Sequence, residues 1–182
     1  MEFGFITMNR TGVTLVELLI VIAIIGIIVL FATIDTAWFQ RDARVTEARD
    51  RLLADIEDVK LKSLAQVPHA VFITCAGTSY TVRKLTDANS NFKKDSSEGD
   101  NVLSTVSLST STNVKVRYNP TCTPGTDVSE LWFDRKGIPR NDSWLTPNRT
   151  LTVWYDENGD NAYTGEQAKQ ISVDNGGRIL YE

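Results

Sequence analysis

Arg10-Thr11-Gly12-Val13-Thr14-Leu15-Val16-Glu17-Leu18-Leu19-Ile20-Val21-Ile22-Ala23-Ile24-Ile25-Gly26-Ile27-Ile28-Val29-Leu30-Phe31-Ala32 is the stretch on which the reading of this chain turns. From Val13 to Ile34 the sequence is long enough to cross a bilayer as a helix, since about 20 apolar residues span the hydrocarbon core. It carries a single charge, Glu17, near its start. A carboxylate inside such a helix costs roughly 2.5–3.5 kcal/mol or more, so it needs a partner or a purpose.

Outward from this run, the next segment keeps helical period but changes character. Ala37, Trp38, Val45, Ala48, Leu52, Ile56, Val59 and Leu64 recur at three- and four-residue steps, with charged residues between them. That spacing predicts an amphipathic helix with one buried stripe. No proline intervenes before Pro68, so one continuous helix from Thr14 to Ala65 is expected, about 75–80 Å long at 1.5 Å per residue. A break at Asp35-Thr36 is the alternative. Trp38 and Phe39, just past the apolar run, suit a membrane interface.

From His69 the period shortens to two. Ala70–Cys75 and Thr78–Leu85 read as a hairpin around Ala76-Gly77, and Thr86–Asn101 as a polar surface loop. Strands are expected again at Val102–Ser109, Asn113–Tyr118, Glu130–Asp134, Thr150–Asp156, Ala168–Asp174 and Arg178–Tyr181, separated by glycine and proline turns. The fold class is therefore α+β: a long N-terminal helix whose second half packs on a C-terminal antiparallel sheet. Four segments follow: a leader at 1–12, a membrane or core helix at 13–34, its amphipathic continuation at 35–66, and a β-rich domain at 67–182.

Bulk composition narrows the function. The chain has 182 residues, 42% of them hydrophobic and many of these in the first 34, with a net charge of −4. That balance gives no support to nonspecific nucleic-acid binding, which needs a basic surface. Lys93-Lys94, Arg135-Lys136 and Arg140 read as solvated loop charges. No phosphate-cradling glycine loop and no Cys-x-x-Cys occur, and His69 has no evident serine and acid relay. An enzyme is not expected. Cys75 and Cys122 are the two cysteines, too few for a tetrahedral zinc site with one histidine. Either a single disulfide or two buried thiols fits them.

The N-terminal residues carry a family resemblance. Gly12 followed by Val13-Thr14-Leu15-Val16-Glu17-Leu18-Leu19 resembles the prepilin motif of type IV pilins and type II secretion pseudopilins. That motif has a glycine before the cut, a hydrophobic first mature residue and a glutamate at the fifth. The resemblance implies cleavage between Gly12 and Val13 by a prepilin peptidase, and N-methylation of Val13. Most relatives have phenylalanine where Val13 stands. Either Met1 or Met8 fits as the start of the leader. The resemblance also implies that Glu17 neutralises the N-terminal amine of an adjacent subunit in a filament. Partners would be other pilins or pseudopilins through this helix, the prepilin peptidase and an inner-membrane assembly platform. The chain would wait as a single-pass protein of a bacterial inner membrane, its C-terminal domain periplasmic, before joining a pilus or pseudopilus.

Two later stretches narrow the likeness. Leu131-Trp132-Phe133-Asp134-Arg135-Lys136-Gly137-Ile138-Pro139 and Gln170-Ile171-Ser172-Val173-Asp174-Asn175-Gly176-Gly177-Arg178-Ile179 resemble hairpins of GspH/FimT-type minor pseudopilins, as does the helix from Ala43 to Ala54. Some FimT-like proteins contact DNA through basic residues near the C-terminus. This chain ends Gly177-Arg178-Ile179-Leu180-Tyr181-Glu182, so nucleic acid is not an expected partner. No cofactor is implied, with one exception to weigh. Asp156, Asn158 and Asp160 offer oxygens at alternating positions, as calcium loops do, with Glu166 following. The twelfth position of such a loop is Gln167 and the sixth Asn161, so the match is incomplete and an Asn158-Gly159 turn explains the segment as well.

Overall fold

The computed structural model describes residues 13–32, 36–65, 67–88, 99–109, 113–118, 122–125, 128–140 and 149–182. Two compact units divide the chain, one ending at Trp38 and one running from Phe39 to Glu182. In the first unit α1 spans Leu15–Ala32. From Leu15 to Leu30 every side chain is exposed, and apolar residues cover the whole circumference. A helix apolar all round has its natural surroundings in lipid or in other protein. Among the described residues no helix is long and apolar enough to cross a membrane. The 18 residues of α1 rise about 27 Å, slightly less than the hydrocarbon core of about 30 Å. The expected span ran on to Ile34. Residues 33–35, where continuity or a break would be decided, lie outside the described residues, as does the leader 1–12.

A second helix, α2, spans Thr36–Leu64. Its buried residues are Val45, Ala48, Leu52, Ile56, Val59 and Ser63, a stripe at the three- and four-residue steps that helical geometry requires. The stripe is shorter than the sequence suggests. Trp38 and Leu64 remain 47% and 43% exposed. On the solvent side Asp58 pairs with Lys62 four residues on, at 2.6 Å, the favourable orientation along a helix. Pro68 ends any continuation.

Among the described residues nine strands follow: β1 His69–Thr74, β2 Ser79–Leu85, β3 Asp100–Ser107, β4 Val114–Tyr118, β5 Val128–Phe133, β6 Pro139–Arg140, β7 Arg149–Tyr155, β8 Ala168–Val173 and β9 Ile179–Tyr181. They form two antiparallel sheets rather than one. The first has the order β3-β2-β1-β5-β6, the second β4-β7-β8-β9. Val71, Ile73, Tyr80, Val82, Leu131 and Phe133 of the first sheet share one core with Val114, Val116, Leu151, Val153, Ile171 and Val173 of the second. The α2 stripe belongs to that same core. Each such aliphatic side chain, fully buried, contributes roughly 1.5–3 kcal/mol. Tyr80 is buried there too, and its hydroxyl donates to Asp55 Oδ2 at 2.6 Å, tying β2 to α2. The opposite face of the first sheet carries a smaller cluster of Ala70, Phe72, Leu85 and Trp132.

The two sheets are joined at the β1–β2 turn. Gly77 bridges Val116 of β4, and Cys75 Sγ is bonded to Cys122 Sγ, with Cα atoms 5.8 Å apart. The Gly125 amide donates to the Cys75 carbonyl at 3.0 Å. A Cβ on Gly77 would lie 2.9 Å from the Thr74 carbonyl oxygen, so the residue at this seam has to be glycine.

Candidate assembly site and acidic loop

At the head of α1, Thr14 and Glu17 form a reciprocal cap. The Leu18 amide donates to the Thr14 carbonyl at 3.2 Å, which makes Thr14 the N-cap. The Thr14 amide and hydroxyl donate to Glu17 Oε2 at 3.0 and 3.1 Å. The Glu17 amide returns a bond to Thr14 Oγ1 at 3.2 Å. This is a capping box, which satisfies donors that the first helical turn leaves unpaired. Thr-x-x-Glu is legible in Thr14-Leu15-Val16-Glu17, yet attention to the charge alone passes over Thr14. Val13 is 76% exposed, and Gly12 lies outside the described residues.

The acidic segment after β7 folds on itself. Asp156 is buried; its Oδ1 accepts from the Gly159 amide at 2.9 Å and its Oδ2 from the Asn161 amide at 3.2 Å. Gly159 and Asn161 both have positive φ, 75° and 60°, which turns the chain back around Asp156. Asn158 Nδ2 donates to Asp160 Oδ2 at 2.8 Å, and Glu166 Oε2 accepts from the Thr164 amide at 3.2 Å. Asp156, Asp160 and Glu166 each bring a carboxylate oxygen within 4.8 Å of the others. Glu166 Oε1 is screened from solvent and accepts no hydrogen bond from the described residues. Two ion pairs tie this region to α2: Glu157 with Arg41, and Lys169 with Asp42 at 3.8 Å.

The two hairpins singled out by resemblance are built alike and touch. In the β5–β6 turn Asp134 Oδ1 accepts from the amides of Lys136 and Ile138 at 2.8 and 3.0 Å, and Oδ2 from Arg140 Nε and Nη2 at 3.0 and 2.7 Å. In the β8–β9 turn Asp174 Oδ1 accepts from the amides of Gly176 and Arg178 at 2.9 and 2.8 Å, and Oδ2 from Arg178 Nε at 2.6 Å. Gly137 and Gly177 take positive φ of 73° and 80°. A Cβ on Gly177 would stand 2.0 Å from the Gly137 carbonyl oxygen, and Lys60 Nζ donates to the Gly177 carbonyl at 2.7 Å. Thus Asp134 and Asp174 close the turns, and the end of α2 is fastened to one of them. Burial pushes the Asp134 carboxyl up, but the Ile138 amide, Arg140 and the Lys136 amide outweigh it and hold the group below the ordinary carboxylate range. Asp174 is lowered chiefly by the Arg178 amide and guanidinium.

Arg140 is not a solvated loop charge: its guanidinium closes on Asp134 in a nearly buried ion pair, because the strand pair β5–β6 folds it back. Lys93, Lys94 and the tripeptides beginning at Asn141 and Asn148, which match glycosylation sequons, lie outside the described residues or begin there. His69 is buried, and its Nδ1 donates to the Val67 carbonyl at 2.8 Å.

Residues 7–33 match the model of the prokaryotic N-terminal methylation motif. Among solved structures the chain is similar to the type IV minor pilin FimU of Pseudomonas aeruginosa, at 12% identity and a TM-score of 0.48, over 76% of this chain and 87% of that one. A second crystal form of FimU gives 12% identity and 0.46, over 75% and 91%. The minor pseudopilin EpsH from the type 2 secretion system of Vibrio cholerae gives 13% identity and 0.42, over 75% and 96%. No characterised protein sequence matches the chain significantly.

Proposed function

We propose that the chain is a subunit of a type IV pilus or type II secretion pseudopilus, in the minor role of the GspH/FimT type. It is cleaved between Gly12 and Val13 by a prepilin peptidase, methylated on Val13, and held in the inner membrane by the apolar run from Val13 to Ile34 until an assembly platform draws it into a filament. The domain built on α2 stands in the periplasm, where the Cys75–Cys122 disulfide is at home. The work done is packing rather than catalysis: α1 exchanges lipid for the helices of neighbouring pilins, and Glu17 meets a neighbour's N-terminal amine. One observation carries this reading, a glutamate five residues past Gly12 at the head of a helix apolar on every side, inside the matched methylation motif. Replacing Glu17 by Val should leave membrane insertion intact and abolish incorporation into filaments. Normal incorporation of that variant would sink the assignment.

A second reading concerns the loop from Asp156 to Glu166. The convergence of Asp156, Asp160 and Glu166 with an unbonded, solvent-screened Glu166 Oε1 supports calcium there, with Asn158 Oδ1, which accepts from the Asp160 amide at 3.3 Å, as a fourth oxygen. Calcium takes six to eight oxygens, of which the loop's carboxylates supply the charged share. Excess calcium should then raise the melting temperature above its value in chelator. An unchanged temperature removes the ion from the account.

A further inference from the structure

In the unit from Phe39 to Glu182, the large apolar side chains left exposed among the described residues are Phe39, Val102, Leu103 and two separate groups. Leu61, Leu64 and Val67 form one, at the C-terminal end of α2; Leu180 and Tyr181 form the other, on β9. The first group borders a cavity of about 610 Å³ that Val67 and Pro68 line together with Lys84, Asp87 and Arg135, a volume in the range of binding sites. Two cations therefore face it against one carboxylate. Leu64 touches the turn that carries Arg135, since a Cβ on Gly137 would stand 3.3 Å from Leu64 Cδ2. The second group is anionic: Glu182 follows Tyr181 and is exposed. Neither Lys84 nor the Glu182 side chain has an ion pair among the described residues. We propose that the two groups are halves of one contact between copies of this chain: Leu180, Tyr181 and Glu182 of one copy seat on Leu61, Leu64 and Val67 of the next, with the Glu182 carboxylate at the cavity against Lys84.

Geometry makes the contact one between molecules. Arg49 of α2 holds the acidic end in place: its guanidinium lies 5.3 Å from the centre of the Tyr181 ring, and Nη1 donates to the Glu182 carbonyl at 3.4 Å. From Arg49 to Leu64 the helix rises about 22 Å, so Glu182 cannot reach the cavity of its own chain. Charge selects the occupant. An apolar rim beside Lys84 and Arg135 calls for apolar side chains next to a carboxylate, and the chain itself carries that complement on β9. The same charges reject the reversed seats, because two acidic ends or two cationic cavities would face like with like. Contiguous exposed apolar groups mark interaction surfaces, and docking removes both from water. A contact between two different patches leaves one of each kind free, so copies add head to tail instead of closing as a pair. No residue of α1 takes part, so the inference goes beyond the filament reading and does not depend on it.

The test uses the full-length chain in phosphatidylcholine vesicles, with light and isotope-labelled chains mixed before a carbodiimide couples carboxylates directly to amines. Peptide mass spectrometry should find Lys84 joined to Glu182 in pairs of one light and one heavy chain. Leu61→Glu and Leu180→Lys leave the reacting pair in place, and each should lower that link about tenfold, the factor that the loss of one buried leucine carries at the low end of its range. Both positions are exposed, so urea midpoints should match wild type and show the variants folded. Mixed together, the two variants should recover the link in one direction only, from Lys84 of the Leu180→Lys chain to Glu182 of the Leu61→Glu chain. Links confined to single chains, a yield indifferent to both substitutions, or recovery in both directions or in neither overturns the proposal. A Glu17→Val chain should give the wild-type yield, which separates this contact from the filament reading; a link that vanishes in that variant assigns it to α1 and overturns the proposal as well.

Discussion

Gly177→Ala is the substitution whose cost the structure specifies most closely. Two penalties add. Alanine at a φ of 80° occupies the left-handed region, at roughly 1–2 kcal/mol. Its Cβ would also fall 2.0 Å from the Gly137 carbonyl oxygen, so one hairpin backbone has to retreat by more than an ångström. Overpacking of this kind costs about 1–3 kcal/mol. The expected destabilisation is therefore about 2–5 kcal/mol, which for a unit of about 140 residues lowers the melting temperature by roughly 7–17 °C. Gly137→Ala is the matched control. Its φ is similar, but its Cβ meets Lys60 Cε at 3.1 Å and Leu64 Cδ2 at 3.3 Å. Those are ends of flexible side chains that can give way, so about 1–2 kcal/mol is expected, chiefly from the backbone. Urea unfolding of the detergent-solubilised chain reads both, through the fluorescence of Trp132 and Trp154, which are buried. Equal losses in the two variants, or a Gly177→Ala chain as stable as wild type, would refute the claim that the hairpins meet backbone to backbone.

Other changes probe the rest of the domain. Leu52→Ala empties the centre of the α2 stripe, where Leu52 is fully buried, and should cost about 2–5 kcal/mol in the same urea assay. Replacing Cys75 and Cys122 by alanine opens a link between residues 47 apart; chain entropy sets the loss near 4 kcal/mol, and reduction of the wild type should reproduce it. Asp134 also sets part of the acid limb. Its folded pKa lies below the unfolded value, about 3.9, so its stabilisation is complete above that pH and is lost as pH falls through the folded value. Asp134→Asn should cost about 3 kcal/mol at pH 7, since it removes the negative charge that faces Arg140 in a nearly buried ion pair. It should also flatten the fall in stability between neutral pH and pH 3, measured as urea midpoints.

Local periodicity made much of this fold legible, and its limits are physical. The spacing of Val45, Ala48, Leu52, Ile56 and Val59 shows a helix face because one buried stripe recurs with the helical turn. It does not say where the partner surface ends, so the same spacing takes in Trp38 and Leu64, which stay 47% and 43% exposed. Strand alternation likewise marks a face and leaves the partner open. Nothing local reveals that β1 pairs with β5 more than fifty residues on, or that β4 leaves the first sheet to join β7. Strand β6 has two residues, too few for any period. The distance between Cys75 and Cys122 depends on that non-local seam and was unreadable for the same reason.

At the sites the balance differs. The position of Glu17 relative to Gly12 is a property of the chain alone, and the capping box that serves it needs only the Thr-x-x-Glu spacing. The acidic loop was half legible. Alternation brought out Asp156, Asn158 and Asp160, whereas the approach of Glu166 depends on the positive φ at Gly159 and Asn161. The Asp134 and Asp174 turns show in the sequence as glycine hairpins, and no local signal reveals that their aspartates hold them shut or that they touch each other.

The central claim is that the apolar helix enters a filament pathway headed by a processed N-terminus. Mass spectrometry of the N-terminal peptide, taken from membranes of cells that express a prepilin peptidase, tests it most directly. The account predicts a mature chain that begins at N-methylated Val13. A chain that keeps Gly12 and its leader in the presence of active peptidase would contradict it.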